Sequence, residues 1–149
     1  MYWLKPGIKE HPEKRWALPD RAFFGFGACH ILAGVFLTET SHPGFCAEWI
    51  VPRGDFRGSH IYVTNGAVTF DCRGYAETGR LLEHYRAGCA ARFPGWDADV
   101  VPVDFDLLDT IALNKIKHRG PDQYFDDPIR RARRFIAEKP VPERLRAFI

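Results

Sequence analysis

The chain has 149 residues, 46% of them hydrophobic and 14% aromatic, and a formal net charge of +2. This length supports one globular domain with a real core, expected over residues 1–149. A charge this close to neutral gives no electrostatic reason to expect a nucleic-acid partner, and no apolar run approaches the ~18 residues of a membrane span. The opening MYWLKPGIKEHPEKRW has no apolar stretch of the kind a signal peptide needs. The expectation is a soluble cytoplasmic protein, with a secreted effector using another signal as the alternative.

In chain order, residues 1–20 read as irregular, punctuated by Pro6, Pro12 and Pro19. A helix is predicted over about 27–39 in FFGFGACHILAGVFL; it is apolar on nearly every side, the mark of a buried helix. The glycines before it suggest a tight turn rather than a dinucleotide loop, because the third glycine of that motif would fall at His30. A strand at about 45–52 leads through the loop RGDFRG into SHIYVTNGAVTFD, which reads as a hairpin. A helix follows with Leu81, Leu82, Tyr85 and Cys89 on one stripe, then a short strand in ADVVPVDF and a helix in LLDTIALNKIKHRG stopping at Gly120. Asp127 as N-cap and Pro128 at the first helical position open another helix, closed before Pro140. A last short helix starts near Pro142. The expected class is α+β: a buried N-terminal helix on a small antiparallel sheet, with further helices C-terminal to it.

The hairpin contains Asn65-Gly66, the strongest short-range signal for a two-residue type I′ loop. That loop pairs Thr64 with Ala67, and counting outward sets Val63 against Val68 and His60 against Asp71. Directly opposed residues have Cβ atoms about 4.5–5.5 Å apart. Alternation puts Ile61, Val63, Val68, Phe70 and Cys72 on an apolar face, and His60, Tyr62, Thr64, Thr69 and Asp71 on the other.

A His–Asp pair becomes chemically informative when a nucleophile faces it. Cys29 falls in the first turn of the buried helix, where the helix dipole and a nearby imidazolium both lower a thiol pKa from about 8.5. The thiolate would attack, the imidazole would move the proton, and the carboxylate would hold the tautomer. His30 is adjacent in sequence to Cys29, and successive helical residues point about 100° apart, so it reads as a poor base.

The order Cys29, His60, Asp71, carried by CHILAGVFL, HIYVTNG and FDCRGY, resembles the papain-like cysteine superfamily, within it the transglutaminase-like and arylamine N-acetyltransferase branch. The resemblance spans about Gly25 to Tyr75. It implies a papain/transglutaminase-like fold and a cysteine hydrolase, thiol protease or acyl transferase, with Cys29, His60 and Asp71 as the catalytic triad. No cofactor is implied. The substrate would be a peptide, a protein side-chain amide or a small amide. The only Gln is Gln123, far downstream, so the oxyanion would rest on the Cys29 backbone N–H and a second donor.

Candidate substrate-binding residues are Arg53 and Arg57, in the loop entering His60, and Tyr62 on the His60 face. Trp16, Trp49 and Trp96 read as packing residues that could wall a cleft. Cys46, Cys72 and Cys89 read as small core residues, since no CxxC occurs. A zinc site from Cys29, His30, His60 and Asp71 lacks a compact ligand motif, so no metal is expected. The alternative to an enzyme is a binding module in which the hairpin pair is structural. In that reading Arg130, Arg131, Arg133 and Arg134, expected as a solvated stripe opposite Ile129, Ala132 and Ile136, dock an acidic partner.

Overall fold

The computed structural model describes residues 3–149, and Met1 and Tyr2 lie outside the described residues. The protein is α+β. Its sheet contains β1 (Cys46–Pro52), β2 (His60–Thr64), β3 (Val68–Asp71), β4 (Gly74–Glu77) and β5 (Ala98–Pro102), in the order β4-β3-β2-β1-β5. Every pairing is antiparallel. The helices are α1 (Pro12–Trp16), α2 (Asp20–Gly25), α3 (Cys29–Glu39), α4 (Thr78–Arg92), α5 (Thr110–Lys115) and α6 (Pro128–Ala137). Two 3₁₀ turns, Pro121–Gln123 and Glu143–Phe148, complete the chain. Among the described residues no helix is long and apolar enough to cross a membrane.

The predicted buried helix is α3. Every residue from Cys29 to Phe36 is buried, which a helix apolar on all sides requires. It packs on β2, β1 and β3 and on α6. The core there joins Ile31, Val35 and Phe36 to Ile61, Val63, Phe70 and Phe135. Phe36 stacks on Phe70 with ring centroids 4.8 Å apart. Gly34 allows close approach, since a Cβ there would lie 2.9 Å from the Leu108 side chain. On the opposite sheet face a second cluster joins Ile50 and Tyr62 to Leu81, Cys89 and Trp96. All five residues of β2 are therefore buried. The polar side chains of the hairpin end in an interior, and their groups must be satisfied there. Thr64 Oγ1 donates to the Val68 carbonyl at 2.9 Å, and Thr69 Oγ1 to Val63 at 2.8 Å.

The hairpin differs from the two-residue loop expected. Thr64 pairs with Thr69 and Val63 with Phe70, so Asn65–Val68 forms a four-residue connection. Gly66 has φ +94, while Asn65 keeps negative φ. A type I′ turn needs both positive. Asn65 instead folds an Asx turn, with its Oδ1 accepting the N–H groups of Ala67 (3.1 Å) and Val68 (2.9 Å). The register moves by two residues, so each side chain keeps its face.

Three further differences are local. Residues 1–20 include α1 and the first residue of α2 rather than being irregular throughout, and β4 pairs with β3 beyond the predicted hairpin. The predicted helix before Gly120 is only α5; Lys117 at φ +60 lies just past its end. The stripe on α6 is not all solvated. Arg131 is buried, donates to Asp20 and to the carbonyls of Trp16 and Leu18, each at 2.6 Å, and lies 4.1 Å from the Phe23 ring centroid. Asp127 caps α6 as expected, accepting from Ile129 and Arg130 backbone N–H groups.

Candidate active site

Three elements meet at one end of the sheet. The β2–β3 pairing runs only over Thr64–Thr69 and Val63–Phe70. Beyond it the Ile61 N–H donates to the Cys29 sulfur at 3.5 Å. The N-terminus of α3 thus meets β2 where the ladder has ended. Cys29 is the first residue of α3, and Ala28 before it supplies no side-chain cap. The first-turn N–H groups of a helix have no intrahelical partner, so the Cys29 N–H is an available oxyanion donor.

His60 and Asp71 come together as expected, by a different route. They are offset by two positions from direct opposition, and the Nε2–Oδ2 distance is 3.1 Å. A carboxylate only accepts, so Nε2 carries the hydrogen and neutral His60 keeps its lone pair on Nδ1. Nδ1 is buried and makes no hydrogen bond. It is the ring nitrogen left without a partner, and Cys29 and His60 are near enough to shift each other's titration. The ring is fixed from behind by Tyr85 of α4, stacked at 4.7 Å with planes 15° apart.

The electrostatics follow from these neighbours. Burial alone would raise the Cys29 pKa, but the His30 and His60 imidazoles outweigh it and hold the thiol well below its ordinary value. Burial alone would lower the His60 pKa; the bond to Asp71 and the Cys29 thiolate reverse this and push it up to about 9. Asp71 is held at about 2, because hydrogen bonds and charge from His60 and Arg73 exceed the burial penalty. These shifts favour a Cys29 thiolate beside a protonated His60 and an ionised Asp71. Cys72 and Cys89 go the other way: burial raises both, Cys89 to about 11.

Two participants were missed in the sequence. Arg73 binds Asp71 through its backbone N–H (2.8 Å to Oδ1) and through Nη2 (3.0 Å to Oδ2). The Asp-Cys-Arg turn was a legible signal for this, because an Asp commonly accepts from the N–H two residues on. His30, set aside as a base, is a neighbour of the thiol after all. Its Nε2 donates to the Arg119 carbonyl at 2.7 Å, and its Nδ1 is buried without a partner. The 100° rule describes where Cβ atoms point, and an imidazole reaches beyond that.

The proposed substrate-binding residues divide. Arg57 lines a cleft of about 940 Å3 that Cys29, His30 and Tyr85 also line. Arg53 does not line it; it is paired with Asp97 at 2.5 Å and Asp99 at 2.6 Å beside β5. Tyr62 is buried on the α4 face and donates to Glu48, so it has no access to the cleft. Of the three tryptophans read as possible cleft walls, Trp16 and Trp49 pack against the main core and Trp96 belongs to the second cluster.

For a metal, the ligand atoms of His60, Asp71 and Cys72 lie within 4.8 Å of one another. Arg73 already occupies the Asp71 carboxylate. A divalent cation would sit beside that guanidinium, so this donor set suits proton transfer better than ligation. Compared with known proteins, the chain matches no family model, no curated protein and no solved structure.

Proposed function

We propose that the protein is a cysteine-dependent hydrolase or acyl transferase acting on an amide through a thioester. The observation that carries this reading is the Cys29–His60–Asp71 arrangement. A thiol at the start of a buried helix interacts with an imidazole whose Nε2–H is held by a buried carboxylate and whose Nδ1 has no other partner. The Cys29 thiolate would attack the carbonyl carbon. The oxyanion would be met by the Cys29 N–H at the positive end of α3. His60 would give its proton to the departing amine as the C–N bond breaks, leaving a thioester. Water or an amine, deprotonated by His60, would then displace the thiolate. The order of the three residues is the basis of the resemblance to the papain-like superfamily and its transglutaminase-like branch.

A generic acyl donor tests the chemistry. Incubation with p-nitrophenyl acetate at pH 6 is expected to give one acetyl group on Cys29, seen by intact mass and peptide mapping, that decays on standing. Cys29→Ala should abolish it. Absence of the adduct, or acetylation confined to exposed Cys46, would remove the enzyme reading.

Arg73 favours a second reading. A network of buried His60 and Asp71 with partly exposed Arg73 also ties β2 to the β3–β4 turn, as a structural network would. The protein would then be a binding module. The basic helix proposed as its docking face is poorly suited to that role, because Arg131 is buried and Arg133 pairs with Glu39 at 2.6 Å.

A further inference from the structure

Arg15 stands out among the charged groups of the protein. It is 4% exposed. Its Nη2 donates to the Gly27 carbonyl at 2.6 Å and, more weakly, to Phe26 at 3.5 Å. Its Nε is buried with no partner. The guanidinium lies 5.5 Å from the Tyr124 ring centroid. It forms no ion pair with a carboxylate among the described residues, whereas the other buried arginine, Arg131, has Asp20. A buried charge without a counter-charge is costly. Carbonyl dipoles offset part of that and leave the formal charge uncompensated.

Its position makes this informative. Arg15 lines the same cleft as Cys29 and His30. The contact with Gly27 sits two residues before the nucleophile. Gly27 has φ +107, and a Cβ there would lie 2.2 Å from Arg15 Nη2. The cleft is cationic elsewhere too: Lys5, Lys9, Arg57, Arg92, Lys117 and Arg119 line it, against Glu10 as the one acidic residue among the described lining residues. None of these six cations is ion-paired with a described carboxylate. The chain as a whole carries only +2, so the positive charge is concentrated where the thiol opens.

We propose that the cleft takes an amide substrate carrying a carboxylate, such as an acidic peptide or acidic amino-acid amide, and that Arg15 supplies the counter-charge for that carboxylate. This rests on the reading of Cys29 as a nucleophile and adds the substrate class. The Arg15 guanidinium lines the cleft beside the Gly27 carbonyl and has no carboxylate partner among the described residues, so a substrate carboxylate could lie against its cationic edge. The outer lysines and arginines raise the local concentration of an anion and speed its arrival.

Two reagents with the same leaving group and different charge test it. Iodoacetate is an anion and iodoacetamide is neutral; each alkylates a thiolate with loss of iodide. An imidazolium beside the thiolate also favours the anionic reagent, so the readout is the change in the rate ratio at Cys29 when Arg15 is neutralised. Arg15→Gln is expected to slow iodoacetate at least threefold and iodoacetamide less than twofold, and Arg15→Lys to restore part of the difference. If Arg15→Gln fails to fold, the exposed pair Lys9→Gln/Arg57→Gln, with a salt series on the wild type, carries the test. The iodoacetate rate should fall with each, and the iodoacetamide rate should hold. A ratio insensitive to these variants and to salt overturns the carboxylate site and leaves the nucleophile intact. A Cys29 inert to both reagents at pH 6 overturns both readings.

Discussion

His60 and Asp71 meet diagonally across the hairpin, Nε2 to Oδ2 at 3.1 Å, while the ladder sets Val63 opposite Phe70. The four-residue Asx loop displaces the register by two from the simplest turn. A displacement of one would have sent one of the pair to the other face. A displacement of two preserves parity, and the longer reach of a diagonal pair is within range of an imidazole and a carboxylate.

The thiols should separate by reactivity. At pH 6 an ordinary thiol is below about 1% thiolate. Iodoacetamide at that pH should modify Cys29 at least tenfold faster than exposed Cys46. Cys72 and Cys89, whose thiols burial pushes up, should stay unmodified in the folded protein. Site-resolved mass spectrometry reads all four. Equal slow labelling that rises only near pH 8.5 would contradict the thiolate–imidazolium pair.

The two histidines should be distinguishable. His60→Gln removes the imidazole that Asp71 orients, and labelling of Cys29 at pH 6 should drop by ten-fold or more. His30→Gln keeps a donor for the Arg119 carbonyl but removes one of the groups lowering the thiol pKa. Its pH–rate profile should move to higher pH with the plateau rate preserved. The reverse pattern would make His30 the base.

Asp71→Asn should slow low-pH labelling of Cys29 while the protein still folds. The expected stability loss is about 2–3 kcal/mol by urea denaturation, because protonated His60 and Arg73 both lose their counter-charge. Arg73→Gln is the companion variant. It should cost about 1–2 kcal/mol, since Arg73 is partly exposed, and leave Cys29 labelling within twofold of wild type. If Arg73→Gln slows labelling as much as Asp71→Asn does, the network acts as a structural unit.

The same pair predicts a pH signature in stability. Asp71 titrates at about 2 in the folded protein, against about 3.9 unfolded. Its ionised form therefore adds stability that is complete above pH ~4 and is lost as pH falls through 2. His60 titrates at about 9 folded, against about 6.5 unfolded. Its contribution is complete below pH ~6.5 and is lost as pH rises through 9. The stability difference between wild type and Asp71→Asn should be greatest between about pH 4 and 6.5. It should shrink toward pH 2 and, in part, toward pH 9, where the Arg73 bond persists. A difference independent of pH would mean that Asp71 acts by shape alone.

Much of this protein is determined locally. The all-round apolarity of Cys29–Phe36 dictates a buried helix, the Asp127-Pro128 cap dictates where α6 starts, and alternation assigns the faces of β2 and β3. His60 and Asp71 share a face whether the loop holds two residues or four, because faces depend only on parity. Other features depend on contacts between distant segments. The loop length was decided by Asn65, whose side chain can serve either an αL turn or an Asx turn. Arg53 was drawn to Asp97 and Asp99 because β5 pairs with β1, a contact no local pattern announces. Tyr62 was enclosed because α4 covers the second sheet face. Arg15 reaches Gly27 only because α1 folds back beside the start of α3. Periodicity and turn chemistry act within a few residues and can be read along the chain. Burial of a charge and the wall of a cleft are made by segments that meet only when the core has formed.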